Sequence, residues 1–459
     1  MTKNEIRNTL LRLEGELSAG KNALSDACSI NDYAELVFAD KSANEIWSNA
    51  LQTALLEHEI VTLPKKETPY YIDNTIVIPS NRMILADREA VIKATPDMDV
   101  IMLRNSSTAD GTSFPVSNLH KDSNIHIEGG VWEESRTSRA GYGVSGKYDK
   151  ERSFFGVSAC MFFNNIENLT IKNAVFRHCA GFAVQTGDNK NAHFENICFD
   201  ECFADGLHIN GGCENIIVRN IYGKVGDDIV AFNMYDWQNS SVDFGPSKNI
   251  LCENVTLSSD GAYKAMRIEP GTYYYADGSS VDCSIENAVF KNIRGIKTFK
   301  LYYQTPSYRI DEAPEKGDVG SADNIYFEDI EVFLDAPIDN FGVYQAKDIQ
   351  KGTFAGFELG SKIGCLYFEN IKIKLDRNEY PTAYFLCIGP KTNRGGNGIH
   401  ETFDPGLSSY VKELYLKDIC INGERMNDPS EYIKEISFDD IYGDGTAVGK
   451  GTIEKIIYQ

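Results

Sequence analysis

The chain of 459 residues carries a formal net charge of −22 at neutral pH. This acidic balance argues against nucleic acid as a partner, because binding phosphate requires a basic face. No stretch approaches the roughly 18 consecutive apolar residues of a membrane span, so we expect no membrane association.

The N-terminal stretch is charged throughout and does not have the apolar core of a signal peptide. The 11 cysteines include no Cys-X-X-Cys pair, and most lie in apolar, strand-like contexts, as reduced core thiols do. These features predict a cytoplasmic protein. They point to no metal or cofactor and leave the oligomeric state open.

Two amphipathic helices are predicted near the N-terminus. The first covers residues 4–20, and the second covers 42–58 with Ser42 as its N-cap. After residue 59 the pattern changes to short β-branched runs separated by Pro, Asn and Asp, which is typical of strands. The apolar face of the second helix is Ile46, Trp47, Ala50, Leu51 and Leu55.

A nine-residue theme then recurs, in which alternating apolar residues are followed by Asn or Asp. The first two intervals between these polar residues are 23 and 24 residues, and most later ones are longer. Stacked side-chain amides at the same bend of successive coils would hydrogen-bond to one another. The alternative is a set of unrelated Asn-rich turns. The recurring residues are Asn173, Asn196, Asn220, Asn254, Asn287, Asp329, Asn370, Asp418 and Asp440.

A constant unit with variable insertions indicates a β-solenoid, and no helical pattern separates the strands as an alternating β/α fold would require. We therefore predict an all-β protein, a right-handed parallel β-helix over residues 60–459. The N-terminal helical segment, 1–59, would cap it, and the helix near 42–58 would cover the open end of the stack. Insertions that would wall a groove fall near 134–158, 234–248, 270–282, 303–322 and 376–411.

Two acidic steps stand one repeat apart, Ala204-Asp205-Gly206 and Gly226-Asp227-Asp228. Neighbouring strands lie about 4.8 Å apart, so the three carboxylates should be close neighbours. Like charges at this distance raise one pKa, which suits a pair in which one carboxyl donates a proton and another activates water. The alternative is that Asp before Gly serves only as turn chemistry.

The chain resembles the polygalacturonase-like glycoside hydrolases of family 28, which are right-handed β-helices. The resemblance covers most of residues 42–459 and includes the segment 70–94, which is similar to the family's opening coil. The family's Gly-Asp-Asp motif is matched in full by Gly226-Asp227-Asp228. Its Asn-Thr-Asp motif is matched by Phe203-Ala204-Asp205, in which only the Asp is kept.

The resemblance implies that Asp227 is the general acid and that Asp205 and Asp228 position the attacking water, giving hydrolysis with inversion. Inverting enzymes typically separate their carboxyl groups by about 6.5–9.5 Å to admit that water. The family's Gly-His-Gly and Arg-Ile-Lys motifs have no clean match, and the nearest candidates are Lys264 and Lys300. The inverting α-galactosidases of family 110 also pair a lone Asp with a later Asp-Asp.

Other residues around the aspartates are of types that bind sugars. Polar side chains could hydrogen-bond hydroxyl groups, and aromatic rings could stack on a pyranose face. Each has a structural alternative, such as a buried strand histidine, an anchored loop or a surface ion pair. The substrate-binding candidates are His208, Asn210, Tyr235, Trp237, Lys264, Arg267, Glu269 and Lys300.

The leading hypothesis is an inverting glycoside hydrolase that acts on α-galacturonosidic or α-galactosidic linkages in oligosaccharides, with exo-action. A second hypothesis is a polysaccharide lyase or epimerase on the same fold, using calcium bound by aspartates. A third is a non-catalytic solenoid that binds carbohydrate.

Overall fold

The computed structural model supports the sequence prediction of a parallel β-helix. It describes most of the chain, with gaps at several of the predicted insertions. The described residues are 1–96, 98, 101–108, 120–137, 159–235, 242–260, 264–274, 278–302, 319–334, 354–389, 408–436 and 450–459.

The described residues form two α-helices, short 3₁₀ turns and strands β1 to β32. The α-helices are α1 (Lys3–Asn22) and α2 (Ser48–Glu57). The 3₁₀ turns are Ile30–Leu36, Ser106–Thr108 and Pro429–Glu431. The strands of the first half are β1 (Ala27–Ser29), β2 (Phe38–Ala39), β3 (Glu45–Ile46), β4 (Ile60–Leu63), β5 (Tyr70–Ile72), β6 (Ile76–Ile78), β7 (Arg82–Ala86), β8 (Val91–Ala94), β9 (Leu103–Asn105), β10 (Asp122–Glu128), β11 (Val131–Glu133), β12 (Ala159–Lys172), β13 (Val175–Arg177), β14 (Phe182–Asp200), β15 (Leu207–Asn210) and β16 (Glu214–Gly223). Those of the second half are β17 (Val230–Asn233), β18 (Ser247–Leu257), β19 (Ala265–Glu269), β20 (Gly271–Tyr274), β21 (Ser280–Cys283), β22 (Ile285–Ile296), β23 (Thr298–Tyr302), β24 (Ser321–Leu334), β25 (Phe354–Gly360), β26 (Lys362–Leu375), β27 (Ala383–Ile388), β28 (Ser409–Ile421), β29 (Glu424–Arg425), β30 (Ile433–Glu435), β31 (Gly451–Ile453) and β32 (Ile456–Tyr458).

Parallel pairing between successive coils builds two long rows of strands. One row, which we call the helix-bearing row, runs β4, β7, β10, β12, β14, β16, β18, β22, β24, β26 and β28. A second, which we call the site row, runs β15, β17, β19, β23, β25 and β27. The first half of β14 pairs with β15 and its second half with β16, so β14 bends from one row into the other.

The core is a column of apolar side chains that point into the coil from every turn. Phe290, Phe327 and Phe368 stack along this column with ring centroids 5.1 and 5.2 Å apart. The spacing follows the separation of parallel strands, about 4.8 Å, so identical residues at one repeat position lie ring on ring. The alternation of apolar and polar residues in the repeat therefore becomes one continuous core.

The predicted asparagine ladder is present, and a second ladder runs beside it. In the predicted ladder, Asn196 donates to Asn173 and Asn220 to Asn196, each at 2.9 Å. These residues have positive φ, which asparagine adopts more readily than most residues. The second ladder lies within the strands of the helix-bearing row, just before the apolar run of each repeat. It includes Asn124, Asn168, Asn191, Asn215 and Asn249.

One member of the predicted ladder was assigned wrongly. Asn292, and not Asn287, donates to Asn254, at 2.8 Å. Asn287 belongs to the second ladder, where it accepts from Asn324. The error arose because the short theme in β22 has an Asn at both ends. Asp440 lies outside the described residues.

Helix α2 covers the open end of the stack, as predicted, but it begins later. Its first residue is Ser48 and it follows Trp47, whereas Ser42 lies in a turn before β3. Trp47 and Leu51 join the main core. Parallel pairing also begins before residue 60, because β1 pairs with β4 and β3 with β5.

Helix α1 lies along the flank of the β-helix and crosses the helix-bearing row. Its buried residues Ile6, Leu10, Leu13 and Leu17 pack against outward-facing apolar side chains of successive strands. A capping box at Thr2 begins the helix. At 1.5 Å per residue, its 20 residues span about 30 Å, or about six strand spacings. The contacted strand residues are Ile217, Leu251, Val289 and Tyr326.

All 11 cysteines are free thiols in the structure. No helix among the described residues is long and apolar enough to cross a membrane.

Candidate active site

The three predicted aspartates meet at the start of two neighbouring strands of the site row. Leu207 pairs with Val230, so the turns that precede β15 and β17 lie side by side. Each of Asp205, Asp227 and Asp228 has a carboxylate oxygen within 4.8 Å of the others. The backbone N–H of Asp228 also donates to Asp205 Oδ1 at 3.2 Å.

Glycines make these two turns possible. A Cβ on Gly206 would lie 2.4 Å from the ring of Phe199 and 2.6 Å from the carbonyl oxygen of Ile229. A Cβ on Gly226 would lie 2.2 Å from the carbonyl oxygen of Phe203. The close approach of the two coils therefore requires glycine beside the acidic residues. The same glycines form the turns and bring the aspartates together.

A hydrogen-bonded chain holds Asp205 in place. His208 Nδ1 lies 2.6 Å from Asp205 Oδ2, and both side chains are buried. On the other side of the ring, Asn210 Nδ2 lies 3.3 Å from His208 Nε2. The ring of Phe182 stacks on the imidazole at a centroid distance of 4.0 Å.

The contacts of Asn210 decide which nitrogen of His208 carries the proton. Asn210 Oδ1 accepts from the backbone N–H of Val242 at 3.1 Å, which fixes the orientation of the amide. Asn210 Nδ2 is therefore a donor, and His208 Nε2 accepts from it. The proton of the neutral ring then lies on Nδ1 and is donated to Asp205, which accepts as a carboxylate.

Arg267 bridges the other two aspartates. Its Nη2 donates to Asp227 Oδ1 at 2.7 Å, and its Nε donates to Asp228 Oδ2. The sequence predicted Arg267 as a substrate ligand from its residue type, whereas in the structure its guanidinium contacts both carboxylates of the Asp-Asp step. A planar guanidinium suits this forked arrangement.

The environments of the two adjacent aspartates differ. Asp228 is fully buried, while 19% of the Asp227 side chain is exposed. Burial raises the pKa of Asp228 well above its ordinary value; Arg267 opposes the rise, and the charges of Asp205 and Asp227 add to it. The cluster therefore keeps a proton to higher pH than separate aspartates would.

Further charged side chains continue along the site row. Lys300 pairs in register with Arg267, and Glu358 pairs with Lys300 on the next strand. Glu269 stands beside Asn233 on the neighbouring coil. Lys300 and Glu269 are fully buried and Glu358 is 3% exposed. Glu358 was not predicted, although its place between two apolar residues of a site-row strand matches that of Lys300.

The other predicted ligands are placed differently. The ammonium group of Lys264 donates to the backbone carbonyl of Ser259. Tyr235 is fully buried, with Phe244 5.6 Å and Tyr273 6.5 Å away between ring centroids. A buried ring has no face for a pyranose, so Tyr235 does not fit the predicted stacking role. Trp237 lies outside the described residues.

Comparisons with known proteins show the fold. No model of a known protein family matches this chain, and neither does any curated protein. Among solved structures, the family 28 exopolygalacturonase of Yersinia enterocolitica is similar with a TM-score of 0.55 and 11% identity, over 94% of this chain and 78% of that enzyme.

Two other solved structures have the same architecture. A tailspike protein of E. coli bacteriophage HK620 is similar with a TM-score of 0.53 and 12% identity, over 94% of this chain and 67% of the tailspike. The catalytic unit of the GH87 α-1,3-glucanase of Streptomyces thermodiastaticus is similar with a TM-score of 0.51 and 11% identity, over 95% of this chain and 70% of that unit. The chain is thus a right-handed parallel β-helix.

Proposed function

We propose that this chain is a divergent relative of the family 28 glycoside hydrolases and that it hydrolyses α-galacturonosidic or α-galactosidic linkages in oligosaccharides by exo-action. The observation that carries this proposal is the cluster of Asp205, Asp227 and Asp228, with one oxygen of each within 4.8 Å of the others. Acid–base hydrolysis of a glycoside needs such carboxyl groups beside one scissile bond.

The exposure of the three carboxyl groups supports the division of roles that the family resemblance implies. Asp227 is the partly exposed member and can reach a glycosidic oxygen, so we assign it the general acid. Asp205 and Asp228 are buried, with 1% and 0% of the side chain exposed, and act on the attacking water. Burial raises the pKa of Asp228, so in this proposal the proton that the cluster retains passes to Asp227, which then supplies it as the general acid.

The close approach of the carboxylates makes the stereochemical outcome a sharp test. Oxygens within 4.8 Å are closer than the roughly 6.5–9.5 Å that usually separates the carboxyl groups of an inverting enzyme. Burial of Asp205 and Asp228 nevertheless disfavours direct attack by either on the anomeric carbon. We therefore propose inversion. Product NMR that shows a retained configuration would refute it.

The substrate class can be tested through Lys300. Lys300 is fully buried in the site row, so the test asks whether its ammonium group reaches the carboxylate that a galacturonoside carries and a neutral galactoside does not. The screen compares aryl α-galactosides with galacturono-oligosaccharides, using the wild type, Asp227→Asn and Lys300→Met. We expect Asp227→Asn to lower hydrolysis of every cleaved substrate by roughly 10²–10⁴-fold. Lys300→Met should reduce hydrolysis of the uronoside alone if the substrate is acidic.

A calcium-dependent lyase is the second candidate, favoured by the same three carboxylates, each of which offers one ligand atom to a cation. The guanidinium of Arg267 already supplies positive charge there and competes with a cation. A lyase would release unsaturated products that absorb ultraviolet light, and EDTA would stop it. Binding of oligosaccharide without turnover, unchanged in Asp227→Asn, would instead indicate a non-catalytic solenoid.

A further inference from the structure

A second cluster of ligand-type side chains lies under helix α1, on a different row of strands from the candidate active site. Strand pairing brings Thr170, His193, Ile217 and Leu251 into one line across the helix-bearing row. Helix α1 covers the apolar members of this line with leucine and isoleucine side chains. At His193 the helix instead presents Glu14.

The imidazole of His193 is buried and directed at two carboxylates. Only 1% of His193 is exposed, and its Nε2 has no hydrogen-bond partner among the residues that the structure describes. Nε2 lies 3.6 Å from Glu14 Oε1 and 3.6 Å from Glu195 Oε2. The ligand atoms of the three residues all lie within 4.8 Å of one another.

These distances fit a coordinated metal ion better than a hydrogen bond or a bridging water. An N–H···O hydrogen bond spans at most about 3.2 Å. A water bridge of two hydrogen bonds at a tetrahedral angle spans about 4.6 Å. Two zinc–ligand bonds of about 2.1 Å at the same angle separate their ligand atoms by about 3.4 Å.

We propose that Glu14, His193 and Glu195 bind a zinc ion that joins helix α1 to the β-helix. An imidazole nitrogen with two carboxylates selects zinc over the harder ions magnesium and calcium, which prefer oxygen ligands. This site is independent of the proposed hydrolase activity.

Two cationic side chains already contact the carboxylates and set the expected affinity. Arg219 Nη1 lies 2.8 Å from Glu14 Oε1, and Lys172 Nζ lies 3.0 Å from Glu195 Oε2. Both can remain as hydrogen-bond donors to the ligating carboxylates, as residues around metal sites commonly do. Their positive charges oppose the cation, so we expect micromolar rather than nanomolar binding.

The test is calorimetric titration of the EDTA-treated, dialysed full chain with zinc chloride, with magnesium and calcium chloride in parallel. We expect one zinc ion per chain and binding at least tenfold weaker in His193→Gln and in Glu14→Gln. His126→Gln is the matched control, because His126 is also buried in the same row of strands but stands outside the cluster. The expected zinc affinity of this control is that of the wild type.

A folding defect in one variant does not remove the test. Glu14 lies on the half-exposed side of the helix, so Glu14→Gln should retain the wild-type circular dichroism spectrum even if His193→Gln does not. Zinc should also raise the melting temperature of the wild type but not that of Glu14→Gln. The proposal is overturned if the wild type binds no zinc saturably or if both cluster variants bind it as tightly as the wild type. Loss of zinc binding in Asp227→Asn would also overturn it, because the ion would then lie at the active site.

Discussion

The substitution Arg267→Gln tests whether the guanidinium balances the charge of the Asp-Asp step. It removes the donors to Asp227 and to the fully buried Asp228. A buried carboxylate left without its counter-charge costs about 3–5 kcal/mol in the free energy of unfolding. Arg177 pairs with Asp200 at 2.7 Å on a more exposed surface, so Arg177→Gln should cost at most about 1 kcal/mol.

The pH dependence of this loss has a definite sign. Burial raises the pKa of Asp228 in the folded state, and Arg267 opposes the rise. Between the unfolded and folded pKa values, the folded protein holds a proton that the unfolded chain does not, so its stability falls as pH rises through that window. Removing Arg267 extends the window to higher pH. The stability lost in Arg267→Gln should therefore be smallest at acidic pH and grow by up to about 1.4 kcal/mol per pH unit.

The assay is denaturant unfolding of the wild type, Arg267→Gln and Arg177→Gln, followed by circular dichroism at about pH 5 and about pH 8. We expect the difference between the wild type and Arg267→Gln to be larger at the higher pH. The difference for Arg177→Gln should change little. An equal loss at both pH values, or a loss no larger than that of Arg177→Gln, would refute the reasoning about Asp228.

Three further outcomes are expected. Asp227→Asn should lower kcat on a cleaved oligosaccharide by roughly 10²–10⁴-fold, the usual contribution of a general acid, with the circular dichroism spectrum of the folded protein retained; activity near that of the wild type would remove Asp227 from the acid role. His208→Phe removes the donor to the buried carboxylate of Asp205 and should cost about 1.5–3 kcal/mol in unfolding free energy and lower kcat more than it raises KM; a change in KM alone would make His208 a substrate ligand. Leu10→Ala should cost about 2–5 kcal/mol, because Leu10 lies on helix α1 and is fully buried against the helix-bearing row. Leu11 is exposed on the same helix, so Leu11→Ala should cost little; equal losses would show that helix α1 does not pack on this row.

The coil architecture could be predicted because its causes are local. Apolar residues alternate with period two in each strand, and the asparagine that follows adopts a positive φ in one coil after another. The same local signal failed where it was ambiguous. In β22, Asn287 and Asn292 both fit the theme, and only the pairing of neighbouring coils assigns Asn292 to the predicted ladder.

The start of α2 shows a second limit of local signals. Ser42 is a good N-cap by residue type, yet the helix begins at Ser48 after Trp47, whose side chain is buried in the core. Residues before it pair with other strands, as Ile46 does with Tyr71. Burial and strand pairing at the end of the stack therefore override the capping preference.

The sequence by itself determined that Asp205, Asp227 and Asp228 would be neighbours, because their spacing equals one coil and a coil repeats at a fixed strand separation. Only the tertiary structure decided what surrounds each carboxylate. Arg267 lies on the next coil, after the insertion near 234–248, and its guanidinium contacts the Asp-Asp step. The hydrogen bonds of His208 depend on Asn210, whose amide is held by the backbone N–H of Val242. Charge, exposure and proton position depend on contacts between residues distant in the chain, which no local period encodes.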